Sequence, residues 1–124
     1  MKNIHRILLK ISGESFSEDS LFHIIKMIKN LRRKKIEIGL VVGGGNIIRG
    51  ANNDSLDRTA ADRMGMLATM INGLHLQDQF LKNGVSVKIA SAVQCSFFPS
   101  STQEEREEWI KDHLLLFVGG TSHP

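Results

Sequence analysis

Apolar and polar positions follow two rhythms along this chain, a short dense one and a longer helical one, and their alternation predicts the architecture. Ile7-Leu8-Leu9-Lys10-Ile11 is a short apolar run closed by Ser12-Gly13-Glu14, which predicts a first strand. Leu21, Ile24, Ile25, Ile28 and Leu31 then recur at helical spacing, with Lys26, Lys29 and Asn30 opposite, so an amphipathic helix is expected over 20–34. Ile36 to Val42 predicts a second strand. A long helix follows over 59–81, with Met64, Leu67, Ala68, Ile71, Leu74 and Leu81 as its expected buried stripe. Val85 to Ala90 predicts a third strand, entered through Asn83-Gly84, a natural helix stop. Ser101-Thr102-Gln103-Glu104 has the form of a capping box and opens a helix to about Asp112. Leu114 to Val118 is apolar without alternation, as a strand covered on both faces should be.

Strands separated by helices imply right-handed crossovers and a parallel sheet, an α/β architecture. Ligands of such sheets gather beyond the carboxyl ends of the strands. Three of those ends are stripped of bulk: Ser12-Gly13-Glu14, Gly43-Gly44-Gly45-Asn46 and Gly119-Gly120-Thr121-Ser122. The second is the most informative segment of the chain. Leu40-Val41-Val42 runs into consecutive glycines, which let another molecule approach bare backbone N–H groups. Arg49 then adds a planar charged fork suited to phosphate oxygens. A tight turn with a surface arginine is the plain alternative. The three stripped ends on one edge of the sheet favour a phosphate site.

Composition narrows the class. The 124 residues fit one domain able to bury roughly two thirds of its unfolded surface. With 41% hydrophobic and 23% charged residues, the chain has the make-up of a soluble globular protein. The net charge of +3 is mild, and Arg32 to Lys35 complement a helix end; no aromatic residues are interleaved with them, so no nucleic-acid partner is expected. Cys95 is alone, which rules out an intrachain disulfide and fits a reducing, cytoplasmic setting. No signal-peptide pattern opens the chain, and 114–118 is too short an apolar run to span a membrane, so no membrane partner is expected. Neither a P-loop nor a dinucleotide fingerprint is present, and the five histidines are scattered without metal-ligand spacing. His75 reads as an ordinary helix residue.

Three blocks carry a resemblance: Arg6 to Glu14, Val42 to Gly50, and Asp62 to Leu74. The first two resemble the amino-acid kinase superfamily, and the third is similar to its bacterial UMP kinases. The resemblance runs to Pro124. It implies a three-layer α/β/α fold with a mainly parallel sheet. It makes residues 1–124 the N-terminal, nucleoside monophosphate-binding part of a domain whose ATP-binding half lies beyond it. It further implies transfer of the γ-phosphoryl group of ATP to UMP, giving UDP for pyrimidine nucleotide synthesis. Mg²⁺ would come with the ATP, with no protein ligand assignable, and the family's assembly is a homohexamer.

Residue roles follow from the same resemblance. Lys10 and Arg49 match catalytic positions. The ATP side comprises Lys10, Ile11, Ser12, Gly13, Gly45 and Arg49, and the UMP side Gly44, Asp62, Thr121, Ser122, His123 and Pro124. A lysine charge at a strand end would offset negative charge on a transferring phosphoryl group. By itself, Lys10 equally suits a solvated strand end. A carboxylate at Asp62 suits ribose hydroxyls, while Thr59-Ala60-Ala61-Asp62 also resembles a capping box; the two readings are compatible. Gly120-Thr121-Ser122-His123-Pro124 departs from the family's Gly-Thr-Gly-Asn-Pro, and Ser122 would resist a positive φ. The segment 15–20 is shorter than the family's, so GTP regulation is not carried over.

Two other functions stay open at this stage: a superfamily kinase for another small acceptor, and a truncated, non-catalytic remnant. By itself the chain is expected to be inactive. It is also expected to self-associate through a sheet edge stripped of its neighbour, with Leu114 to Val118 as the exposed strand and the long helix as a further contact.

Overall fold

The computed structural model describes residues 4–51 and 57–120. In chain order they form β1 (Arg6–Ile11), a 3-10 turn (Gly13–Ser15), α1 (Glu18–Arg33), β2 (Glu37–Val42), α2 (Gly45–Ala51), α3 (Arg58–Lys82), β3 (Val87–Ser91), α4 (Gln103–Asp112) and β4 (Leu114–Val118). The strands make one parallel sheet in the order β1-β2-β4-β3. The α/β expectation holds.

Local chemistry accounts for the helix ends. Ser17 caps α1 by accepting the Ser20 N–H at 3.2 Å, and Arg32 and Arg33 occupy the last turn, where cations oppose the dipole. The capping box of α4 lies one residue later than expected. Thr102, not Ser101, accepts the Glu105 N–H at 3.1 Å, and the Glu105 carboxylate accepts the Thr102 N–H at 3.0 Å. Thr59 opens nothing, because α3 starts at Arg58 after an Asp57 that makes no side-chain cap bond.

Helices α1 and α3 cover one face of the sheet, and α4 covers part of the other. The larger core joins Leu21, Ile25 and Ile28 of α1 and Leu76 and Phe80 of α3 to inward residues such as Ile38, Leu40, Leu114 and Leu116. The smaller core is Ala90, Ile110 and Leu115, with Trp109 and Phe117 beside it. Leu8, on the edge strand β1, stays 66% exposed. Arg6 fastens β1 to its neighbours: its Nε donates to Glu37 Oε1 at 2.8 Å, and its Nη1 lies 3.1 Å from Glu107 Oε2. The hydrogen bond to Glu37, and then the Glu107 carboxylate, hold this guanidinium above its ordinary pKa.

Two expectations are overturned. Leu114 to Val118 is not an edge strand but sits between β2 and β3, and the edges are β1 and β3. A wholly apolar strand belongs where neighbours cover both faces and both sides, so the centre is its natural place. The second correction concerns α3, whose buried residues are Ala68, Thr69, Met70, Asn72, Gly73, Leu76 and Phe80. Of the expected stripe only Ala68 is buried, while Leu67, Ile71, Leu74 and Leu81 are exposed. The reason is close packing. A Cβ on Gly73 would meet the Val118 side chain, so the narrow face of α3 lies against β4 and the wide apolar face turns outward.

Candidate functional site

The carboxyl ends of β1, β2, β3 and β4 border one cleft of about 770 Å³. Lys10, Ser12, Gly13, Gly44 and Gly45 line it, and Asp62 and Thr69 face it from α3. The size suits a nucleotide-sized ligand. The glycine run is a turn at Gly43-Gly44 followed directly by α2 at Gly45. Helix N-termini carry N–H groups without intrahelical partners, so the stripped turn also delivers amide donors.

The three stripped strand ends are joined to one another through backbone and α3. The Gly43 N–H donates to the Ile11 carbonyl at 2.8 Å, which stitches the β1 and β2 ends together. A Cβ on Gly13 would lie 2.5 Å from the Asn46 N and 2.6 Å from the Gly45 N, so no larger residue fits. Buried Asn72 then reaches from α3 and donates from Nδ2 to the Gly43 carbonyl at 2.8 Å and to Asn46 Oδ1 at 2.7 Å. One turn earlier, buried Thr69 accepts the Gly119 N–H at 2.7 Å and donates to the Met66 carbonyl at 2.7 Å. Gly119 has φ +81°, a conformation that a side chain would strain. Two polar side chains on one helix thus hold two glycine turns in register.

The sequence-derived site residues separate into three groups. Lys10, Ser12, Gly13, Gly44, Gly45 and Asp62 all come to the cleft. Ile11 does not, since its side chain is in the core and its carbonyl is occupied by Gly43. Arg49 falls within α2, but its side chain lies outside the described residues, as do Thr121, Ser122, His123 and Pro124. Lys10 is exposed on the α4 side of the sheet and has no ion-pair partner among the described residues. Its charge is therefore available to a ligand.

Sequence reasoning passed over Thr69, Asn72 and Arg106. The first two carried a signal, two polar residues three apart inside an apolar helix stretch. Arg106 lines the cleft wall, and its Nη1 donates to the Ser101 carbonyl at 2.7 Å and reaches Ser101 Oγ at 3.1 Å. Among the described residues no three His, Cys, Asp or Glu side chains converge as a metal cage, and no helix is long and apolar enough to cross a membrane.

Comparison with known proteins adds to this geometry. Residues 5–119 match the profile of the amino acid kinase family. The uridylate kinase of Francisella tularensis subsp. tularensis is 42% identical over 137 aligned residues, covering 100% of this chain and 55% of that protein. The crystal structure of UMP kinase from Ureaplasma parvum superposes with a TM-score of 0.80 at 30% identity, over 97% of this chain and 57% of the other. That of Bacillus anthracis gives a TM-score of 0.84 at 26% identity, over 99% and 56%. The chain spans about half the length of the relatives it matches.

Proposed function

The chain belongs to the amino acid kinase family, and from that premise we propose that its cleft is the monophosphate-binding side of a UMP kinase. The complete polypeptide would transfer the γ-phosphoryl group of ATP to UMP and release UDP, in the cytoplasm. One observation carries this reading: the glycine turns after β1, β2 and β4 meet at one cleft beside Lys10, a cation with no ion-pair partner among the described residues.

The roles of the residues follow from their positions. Backbone amides around Gly13, Gly44 and Gly45 would bind phosphate oxygens, using donors that cost no reorganisation on binding. Lys10 would neutralise charge on the transferring group, and Arg49 would do the same from α2. Asp62, half-buried on the first turns of α3, would accept hydrogen bonds from ribose hydroxyls. Thr121 to Pro124 would continue the UMP contact from Gly119-Gly120. Magnesium bound to ATP would supply charge neutralisation. Among the described residues no three His, Cys, Asp or Glu side chains converge to hold the ion. These 124 residues alone would lack the donor half, and lost orientation can remove on the order of 7–11 kcal/mol of barrier lowering. We therefore propose binding without turnover for the chain by itself, and a homohexamer only for the complete protein.

Amide NMR spectra recorded while UMP is added test the binding claim. UMP should shift the amides of Gly13, Gly44, Gly45 and Gly119, with uridine much weaker and Lys10→Ala abolishing the difference between them. Shifts elsewhere, or equal shifts from uridine, would remove the phosphate assignment. In a complete polypeptide, Arg49→Ala should lower kcat, whereas Asp62→Asn should mainly raise KM for UMP.

A further inference from the structure

Along the carboxyl-terminal part of α3, beyond the stretch that faces the cleft, a second groove of about 570 Å³ runs between α1 and α3. Its walls are two stripes. Phe22, Lys26, Lys29 and Arg33 follow one another at i, i+4, i+7 and i+11 along α1, and His75, Gln79 and Asn83 do so at i, i+4 and i+8 along the end of α3. The floor is apolar, formed by Leu21 and Ile25, and closed at one end by Phe16 against the His75 ring, 5.8 Å between centroids. Only Phe16 and Ser17 lie between the 3-10 turn and α1, so that connection is too short to fold over this groove.

Three features need a partner. Phe22 is 63% exposed, a large apolar cost at the surface of a helix whose other side already fills the core. Lys26 and Lys29 make no ion pair or hydrogen bond among the described residues, and Arg33 is engaged only by Asn30 Oδ1, at 3.1 Å. The lining holds three fixed cations against the single carboxylate of Glu18. The cationic line from Lys26 to Arg33 extends about 10 Å at the helical rise, and with Phe22 roughly 16 Å. That length exceeds what one phosphate group needs and matches about three turns of a helix laid along the groove.

We propose that this groove binds an acidic amphipathic helix of a partner protein. The partner's carboxylates, repeating at i, i+3 or i+4, and i+7, would meet Lys26, Lys29 and Arg33. Its apolar positions would cover Phe22, Phe16 and Ile25. Helix-in-groove recognition of this kind takes specificity from the charge line and affinity from the buried apolar anchors. The site is separate from the strand-end cleft and does not depend on the kinase reading.

A fluorescein-labelled amphipathic peptide of about fourteen residues, with Leu on one face flanked by Glu, is the probe. Saturable binding by fluorescence anisotropy is expected, weakened about tenfold when every Glu is replaced by Gln. Lys26→Glu with Lys29→Glu should weaken it at least about tenfold, whereas Lys34→Glu with Lys35→Glu, an equal charge change outside the groove, should change it less than about twofold. Phe22→Ala should weaken binding at unchanged charge; Lys29 is half-buried and the other substituted residues are exposed, and circular dichroism checks that each variant folds. The proposal is overturned by absence of saturable binding, by equal losses in the two charge-reversed pairs, or by oligothymidylate binding as tightly as the peptide.

Discussion

Replacing Thr69 by valine is the sharpest probe of how α3 organises the site. The side chain is 7% exposed, and its hydroxyl both accepts from Gly119 and donates to Met66 at 2.7 Å. Valine keeps the branched shape, so the packing changes little and the hydrogen bonds are the variable. The Met66 carbonyl belongs to α3 and retains its helical environment. The Gly119 N–H does not, because it is buried and fixed at φ +81° with no other partner for its amide among the described residues. Leaving one buried donor unmet costs about 1–3 kcal/mol. For a domain of this size that corresponds to a fall in Tm of roughly 4–12 °C. Equilibrium urea denaturation followed by circular dichroism measures the free energy, and hydrogen exchange at Gly119 locates it. Thr69→Ser keeps the hydroxyl and should keep Gly119 protected, losing only the cost of a methyl, about 1 kcal/mol. A valine variant within about 0.5 kcal/mol of the parent, with Gly119 still protected, would refute the claim that this hydroxyl anchors the third glycine turn.

Gly73→Ala should also destabilise the fold, by about 1–3 kcal/mol, since the new methyl meets the Val118 side chain where α3 lies on β4. The same denaturation assay decides it, and an unchanged midpoint would mean that the helix does not approach the sheet so closely. Leu67, Ile71, Leu74 and Leu81 together form an exposed apolar stripe on α3, so the chain should self-associate. Light scattering after size-exclusion chromatography should show that Leu67→Glu with Ile71→Glu restores a monomer, and association left intact would transfer the contact to the β1 edge and Leu8.

The elements themselves were legible because their causes are local. The continuous apolar run at 114–118, the helical spacing from Leu21 to Leu31 within α1 and the glycine after Asn83 each act on neighbours in the chain, and boundaries shifted by only a residue or two. The α2 helix was hidden, because glycines that favour a turn also open a helix once the turn is complete. The cleft was legible in part for a related reason: stripping side chains from strand ends is itself a sequence event, and Lys10, Gly13, Gly44, Gly45 and Asp62 all arrive there.

What the chain could not declare was every choice made between distant segments. Strand order depends on which crossovers pack, and β4 took the central place that its own composition suits. On α3 both faces carry apolar residues, so periodicity had no means to choose between them. Close approach to β4 chose the face with Gly73, Thr69 and Asn72. Those two polar residues stand out in an apolar stretch of sequence, but nothing in the sequence names their partners, and unpaired they would be costly in an apolar core. Only when the fold brings Gly43, Asn46 and Gly119 to them do they become satisfied, and then they hold the site in place.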